Sequence, residues 1–492
     1  MTNDIELPEL GAIALVRYGW RQLTSMRTAL ILLMLLGLAA IPGSIIPQRA
    51  NDQIATTDFI AKHPLLAQWY ERFSMFDVYA SPWFSAIYIL LFISLIGCVL
   101  PRTVEHYKAM RAEPPATPRN LSRLEHHSIF DAKPDTLETA RTWFKSQGFR
   151  IRDEGNSLSA EKGFLRETGN LLFHLSLILI LIGVSFGALF GMRGEAIVNV
   201  GERFIDVPTS YDNLSFGKLR KESTLSPFTI KVDKFVAKYN PKTNAPEDYL
   251  ATVTTSENGK SSVHKLKVNA PLTFGSTRVY LQANGYSPIV TIRDSKGNVA
   301  FQGPTPFLPQ DANLRSIGAI KVPDAEPQIG FVGSLLPTYA RSAGMGGISI
   351  YPELLDPKLL LSIWQGDLKL DSGVPQSVYR IDTSKMRKLG LIGLKPGERA
   401  KYQGGTITFE GVIPWVNLQI VSDPGKSYAL VGGILAIAGL LSSLYVRRRR
   451  IWVRIIGSQI EIAGLAKNGA PGLESEIENL VQTLKDIKKE AK

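Results

Sequence analysis

The sequence predicts a polytopic membrane protein with four transmembrane α-helices, a large β-rich extracytoplasmic domain and a small cytoplasmic α/β module. Three observations lead there. Four long stretches of the 492-residue chain, Thr28–Ile46, Val78–Pro101, Thr168–Met192 and Ser427–Val446, contain no Asp, Glu, Lys or Arg. Arg and Lys crowd one flank of each stretch and are sparse on the other. Residues 193–426 alternate apolar and polar side chains in short runs broken by turn residues.

Composition narrows the possibilities. A hydrophobic share of 45% and the absence of a glycine repeat exclude a disordered or collagen-like chain. The single cysteine, Cys98, excludes an intrachain disulfide framework, a Cys-x-x-Cys redox pair, a thiolate zinc site and a self-attached c-type haem. Against 44 acidic residues stand 56 Lys and Arg, a net charge of +12. Much of that excess sits beside the apolar runs, where it orients spans and meets anionic lipid, so nucleic acid is not a partner.

About 20 helical residues cross a hydrocarbon core roughly 30 Å thick, so each run is long enough to span it. The N-terminal segment 1–27 carries Arg17, Arg21 and Arg27 before span 28–46. Against a signal peptide stand an n-region of 27 residues, an apolar core longer than such peptides carry and the exit IPGSIIPQ, so the first span reads as an uncleaved anchor. Pro42 and Gly43 are expected to interrupt its outer end. A loop, 47–77, leads to span 78–101, which is followed by Arg102, Lys108, Arg111 and Arg119. Arg150, Arg152, Lys162 and Arg166 precede span 168–192, and Arg447–Arg450 follow span 427–446 at once. Both termini, segment 102–167 and segment 447–492 are therefore expected in the cytoplasm, with 47–77 and 193–426 outside.

In the outer stretch, YLATVTTS and SSVHKLKV flank a turn centred on Asn258-Gly259 and read as a hairpin. RVYLQANG, SPIVTIRD, VAFQG, GGTITFEGVI and VNLQIVSD read as further strands, and no amphipathic helix of 12 residues interrupts them. With no Cys and one His, His264, read as an exposed strand residue, this domain is expected to hold no metal site or catalytic triad. On the cytoplasmic side HHSIF reads as a strand, Thr136 to Ser146 as a helix, and FRIRDE with SLSAEK as a hairpin. IWVRI and QIEIAG read as two more strands, and Leu473, Ile477, Leu480, Val481, Leu484 and Ile487 share one helical face. Neither fragment buries a core alone, so the two are expected to pack as one module.

His174 is the ionisable side chain within a charge-free run, about 9 Å inside the cytoplasmic end of the third span. Two readings stand side by side. Imidazole is a standard axial ligand of haem iron; alternatively a neutral ring is hydrogen-bonded through Ser94 or Ser176. Cys98, running inward on the second span, should lie at similar depth, either as a small hydrophobe or as a thiol touching haem. Gly97 and Gly183 are expected to let helices approach closely. His126-His127 could bind a metal, but adjacent strand residues point to opposite faces, so these two, with His63 and His106, read rather as solvated or half-buried surface.

In their order and spacing, SMRTALILLMLLGLAAIPGSIIPQ, FDVYASPWFSAIYILLFISLIGCVLPR, GNLLFHLSLILILIGVSFGALFG, VNAPLTFGSTRVYLQANGYSP and SDPGKSYALVGGILAIAGLLSSLYVRRRRIWVR resemble the ResB family, also called CcsB, of System II cytochrome c maturation. The resemblance implies a multi-pass plasma-membrane subunit, or a thylakoid one in a photosynthetic source. It implies haem b carried outward and attached to apocytochrome c by a complex with a CcsA/ResC-type subunit, alongside a thioredoxin-like thiol reductant. It places His174 at the family's intramembrane haem histidine and Cys98 at a second-span cysteine. The second axial ligand is expected from the partner, because no other charge-free run contains a His. Two rivals stay open: a haem or small-molecule transporter subunit without attachment chemistry, and a structural envelope protein.

Overall fold

The computed structural model describes residues 11–49, 53–225, 227–342, 346–370, 377–466 and 472–486. Among these, nine α-helices occur: α1 (Ala12–Leu23), α2 (Met26–Ile45), α3 (Gln53–Lys62), α4 (Pro64–Arg72), α5 (Pro82–Arg111), α6 (Thr136–Ser146), α7 (Leu165–Phe190), α8 (Lys426–Tyr445) and α9 (Leu473–Lys485). Four of them, α2, α5, α7 and α8, are long and apolar enough to cross a membrane. The chain divides into two units, one built from residues 1–185 and 425–492, the other from 186–424.

Local chemistry starts the spans. Ser25 caps α2, its Oγ accepting from the Thr28 amide at 3.2 Å, and Ser81 caps α5 just ahead of Pro82 in the first turn. Pro42 does not interrupt α2, which continues to Ile45. Gly43 is buried there because the Tyr79 ring lies against it: a Cβ would stand 2.8 Å from Tyr79 Cζ. Met192, expected as the last residue of the third span, opens the strand Met192–Asn199 instead, and the helix ends at Phe190. Helix α5 extends past its apolar run by almost three turns, so His106 is helical. Segment 47–77 contains α3 and α4, folded around Phe59, Tyr70 and Phe76 in ring contact.

Helices α7 and α8 meet backbone to backbone. A Cβ on Gly169 would lie 2.6 Å from the Gly439 oxygen, one on Gly439 would lie 2.6 Å from the Phe173 nitrogen, and one on Gly183 would lie 2.8 Å from the Ala429 nitrogen. Small residues permit this approach where lipid offers no hydrophobic drive to helix association. Gly97 does the same for α5, which receives the Thr24 side chain at the α1–α2 corner.

The first unit also holds one five-stranded sheet, ordered 126–131, 459–466, 449–456, 157–162 and 150–153, all antiparallel. The two sequence-distant fragments thus share a core. Phe144 and Trp143 from α6 and Leu473, Ile477, Leu480 and Leu484 from α9 pack on Leu158, Ile451, Val453 and Ile462. Ile487, assigned to the same α9 face, lies outside the described residues.

The second unit is β-rich, without an α-helix wholly inside it among the described residues. Asn258 and Gly259 both take positive φ (50° and 76°), the geometry of a tight hairpin turn between strands 246–257 and 260–267. RVYLQANG and SPIVTIRD are one strand, Thr277–Asp294, paired along its length with Gly405–Ser422. Gly285 and Pro414 look like breaks in the sequence. In the sheet, Gly285 lies opposite Trp415, whose indole ring would be 2.4 Å from a Cβ there.

This ribbon serves two cores. Val279 and Leu281 with Val416, Leu418 and Ile420 pack against Phe228, Ile230 and Val253; Val290 and Ile292 with Ile407 and Phe409 pack against Phe331, Leu361 and Ile363. The inward parity changes from odd to even on one strand and from even to odd on the other. The register shifts between Leu281 and Ala283, and again between Ile289 and Val290, where Glu410 is the extra residue opposite. One added residue turns alternate side chains to the other face, so each strand can feed both cores.

Candidate functional site

The site is built on α5 and α7. Two hydrogen-bonded rungs tie these helices. At one level the Tyr88 hydroxyl donates to the Leu181 oxygen at 2.9 Å and lies 3.1 Å from Ser185 Oγ. At the other, His106 Nε2 lies 2.9 Å from Thr168 Oγ1 and its Nδ1 lies 3.5 Å from Glu167 Oε2. Glu167, His174, Leu181 and Ser185 are spaced i−7, i, i+7 and i+11, one stripe of α7. His174 is therefore on the side of α7 that faces α5, between the rungs. Helical rise puts it level with Cys98 and Val99 on the antiparallel α5.

His174 is half-buried. Its Nδ1 is 2.7 Å from the Asn170 oxygen one turn back, and the Phe173 ring stands edge-on to it at 5.2 Å. A carbonyl can only accept, so Nδ1 carries the proton and the Nε2 lone pair points away from the helix backbone. Neither serine offered by the packed-imidazole reading is used: Ser94 Oγ donates to the Leu23 oxygen at 2.5 Å and Ser176 Oγ to the Phe173 oxygen at 2.6 Å. Nε2 has no hydrogen-bond partner among the described residues. An imidazole held at Nδ1 by a backbone carbonyl, with Nε2 left open, offers the kind of lone pair that haem iron accepts.

Cys98 shares this level but makes no hydrogen bond with His174; its Sγ donates to its own helix, at 3.3 Å from the Leu95 oxygen. The structure brings the two residues to one depth without joining them. His106, expected at a solvated or half-buried surface, is buried because the start of α7 covers it. That role was not readable from the sequence, since the ten residues that carry α5 past its apolar run look like a basic loop. His264 is exposed on its strand, 2.7 Å from Ser262 Oγ. His127 Nε2 pairs with Glu461 at 2.9 Å, and Arg454 holds the other carboxylate oxygen. Although burial favours the neutral acid, these two partners keep the Glu461 carboxyl below its ordinary value. No group of three His, Cys, Asp or Glu side chains able to hold a metal ion occurs among the described residues.

Beneath the His106 rung lies a charge network. Glu161, almost fully buried, receives Arg448 at 2.6 Å and Arg450 at 2.8 Å, and Arg448 also binds Glu167 at 2.8 Å. Through Glu167 and its neighbour Thr168, the sheet, α7 and α5 are mechanically connected at the end of the span nearest His174.

Relatives align with this chain over nearly their full lengths. The chain is 25% identical over 475 residues to the cytochrome c biogenesis protein CcsB of Prochlorococcus marinus (strain NATL1A), covering 94% of this chain and 98% of that one. It is 24% identical over 483 residues to CcsB of Microcystis aeruginosa, covering 94% of each. Against CcsB of Synechococcus sp. (strain WH7803) it is 27% identical over 472 residues, 93% of this chain and 96% of that one. The ResB-like family profile matches residues 26–478, from the first turn of α2 into α9, and the chain belongs to that family.

Proposed function

We propose that this protein acts in cytochrome c biogenesis as a membrane subunit that handles haem b, with His174 Nε2 as an axial ligand to the iron of the cargo. The observation that carries the reading is the His174 arrangement. The Asn170 carbonyl fixes the tautomer, and the open nitrogen lies between two helices tied above and below it. Burial of an unpartnered imidazole nitrogen costs free energy that coordination recovers. Bound iron is held by the lone pair, while the half-buried apolar side chains of α7 around His174 keep water from the porphyrin face.

The membrane is the plasma membrane, or the thylakoid in a photosynthetic source, with the five-stranded sheet and both termini in the cytoplasm and residues 193–426 outside. The basic flanks support this orientation. On it, His174 lies near the cytoplasmic side, where haem enters. The β domain supplies a broad docking surface for apocytochrome c, and a CcsA/ResC-type subunit contributes the second axial ligand and the attachment site. Cys98, at the same depth, is a secondary candidate for contact with the cargo. A thioredoxin-like reductant keeps the apocytochrome thiols reduced, because a chain with one cysteine cannot cycle a disulfide of its own.

The test is spectroscopic. The protein is purified with its partner subunit, and haem is read by its absorption spectrum in wild type and His174→Ala. Loss of the haem signal and of holocytochrome, with partial recovery on added imidazole, is the expected result. An unchanged spectrum and normal cytochrome yield in a well-expressed variant end the ligand reading. Haem retention that depends on His174, with holocytochrome yield independent of the whole chain, would favour transport without attachment.

A further inference from the structure

The stripe of α5 that faces α7 contains one more chemical group. Tyr88, Leu95, Val99, Arg102 and His106 fall at i, i+7, i+11, i+14 and i+18, and the first and last of these form the two rungs to α7. Leu95 and Val99 are buried, while Arg102 is exposed. Arg102 is one turn past Cys98, so its Cα lies about 6 Å further along the axis, between the level of His174 and the His106 rung. It makes no hydrogen bond or ion pair among the described residues. The arginines at the start of the strand 449–456, by contrast, are committed: Arg448 to Glu161 and Glu167, Arg450 to Glu161, and Arg449 to Glu476.

A haem is an apolar plate with its two carboxylates on one edge. With the iron at His174, that edge belongs toward the polar end of the span, where its carboxylates stay solvated while the apolar plate remains at the depth of the apolar side chains. The group waiting there is a guanidinium without a partner, whose planar fork matches a carboxylate. We propose that Arg102 is the carboxylate-binding residue of the haem site, pairing with a propionate of the porphyrin whose iron His174 holds. This inference rests on the haem reading above. Arg102 thereby sets the orientation in which the plate enters, propionates toward the cytoplasmic face.

The experiment compares haem with its dimethyl ester, in which both carboxylates are capped, on the full-length protein purified with its partner subunit. Binding of each is read by the shift of the Soret band in wild type, Arg102→Gln and Arg102→Lys. Wild type should prefer the free acid over the ester by about tenfold or more, the discrimination that one charge-assisted hydrogen bond supports. Arg102→Gln should abolish that preference, and Arg102→Lys should retain part of it. A ratio of two ligands on one preparation is insensitive to how much of a variant is folded. The same ratio in wild type and Arg102→Gln, as expected of an arginine that meets only lipid phosphate, overturns the proposal. A wild-type spectrum indifferent to His174→Ala instead fails the haem reading itself, so the two failures are distinguishable.

Discussion

Alanine at Gly439 tests how α7, and with it His174, is held. A Cβ at this position would be 2.6 Å from the Phe173 nitrogen and 2.7 Å from the Gly169 oxygen. Ordinary van der Waals contact begins at 3.4 Å, so α7 and α8 must part by about 0.8 Å. Both contacted atoms are backbone, so no side chain can swing aside. Overpacking of this kind costs about 1–3 kcal/mol. Gly433, six residues earlier on the same helix, has nothing within 4 Å of its would-be Cβ. Gly433→Ala makes the same chemical change without a clash and gains about 0.5–1 kcal/mol of helix propensity. The two variants should therefore move in opposite directions in thermal unfolding followed by near-UV circular dichroism in a fixed detergent. Because Phe173 adjoins His174, Gly439→Ala should also weaken retained haem, whereas Gly433→Ala should leave it unchanged. Equal stability of both variants, or equal damage, would refute the close backbone packing.

Three further outcomes are expected. Glu161→Ala leaves Arg448 and Arg450 facing each other without their shared carboxylate and should destabilise the first unit by about 3 kcal/mol, the low end for breaking a buried pair since both guanidiniums keep some solvent; unchanged proteolytic resistance of the 449–466 strands would contradict it. In the β domain, burial, opposed by the Tyr211 hydrogen bond at 2.6 Å and by Arg220, holds the Asp206 carboxyl above its ordinary 3.8. The unfolded chain then ionises before the folded one as pH rises, so stability falls from about pH 4 upward. Asp206→Asn should flatten that slope in hydrogen exchange of strand Phe228–Tyr239, and a slope that persists would assign it elsewhere. Finally, single cysteines at the exposed turns Asn258 and Asn156, on a Cys98→Ala background, should be labelled from outside the cell only at 258; the reverse pattern would invert the proposed orientation.

The sequence alone determined whatever depends on local chemistry. Four uncharged runs mark the helices long enough to span a membrane, because hydropathy acts residue by residue. Asn258-Gly259 marks its turn, because only particular residues tolerate positive φ. The helix Thr136–Ser146 and the α9 face from Leu473 to Leu484 follow from a period that any neighbour would bury. His174 stands out because an ionisable group in a span is costly wherever it points. The tertiary structure decided what depends on distant partners. Strands 157–162 and 449–456 are nearly 300 residues apart, and only their shared core makes them neighbours. The long ribbon passes through Gly285 and Pro414, which locally resemble breaks, because Trp415 needs the space a glycine leaves. Which side of α7 carries His174 toward α5, and which basic residue beside it stays unpaired, depends on the register of two antiparallel helices. That register is fixed by Tyr88 and His106 reaching across, and no property of either segment by itself encodes it.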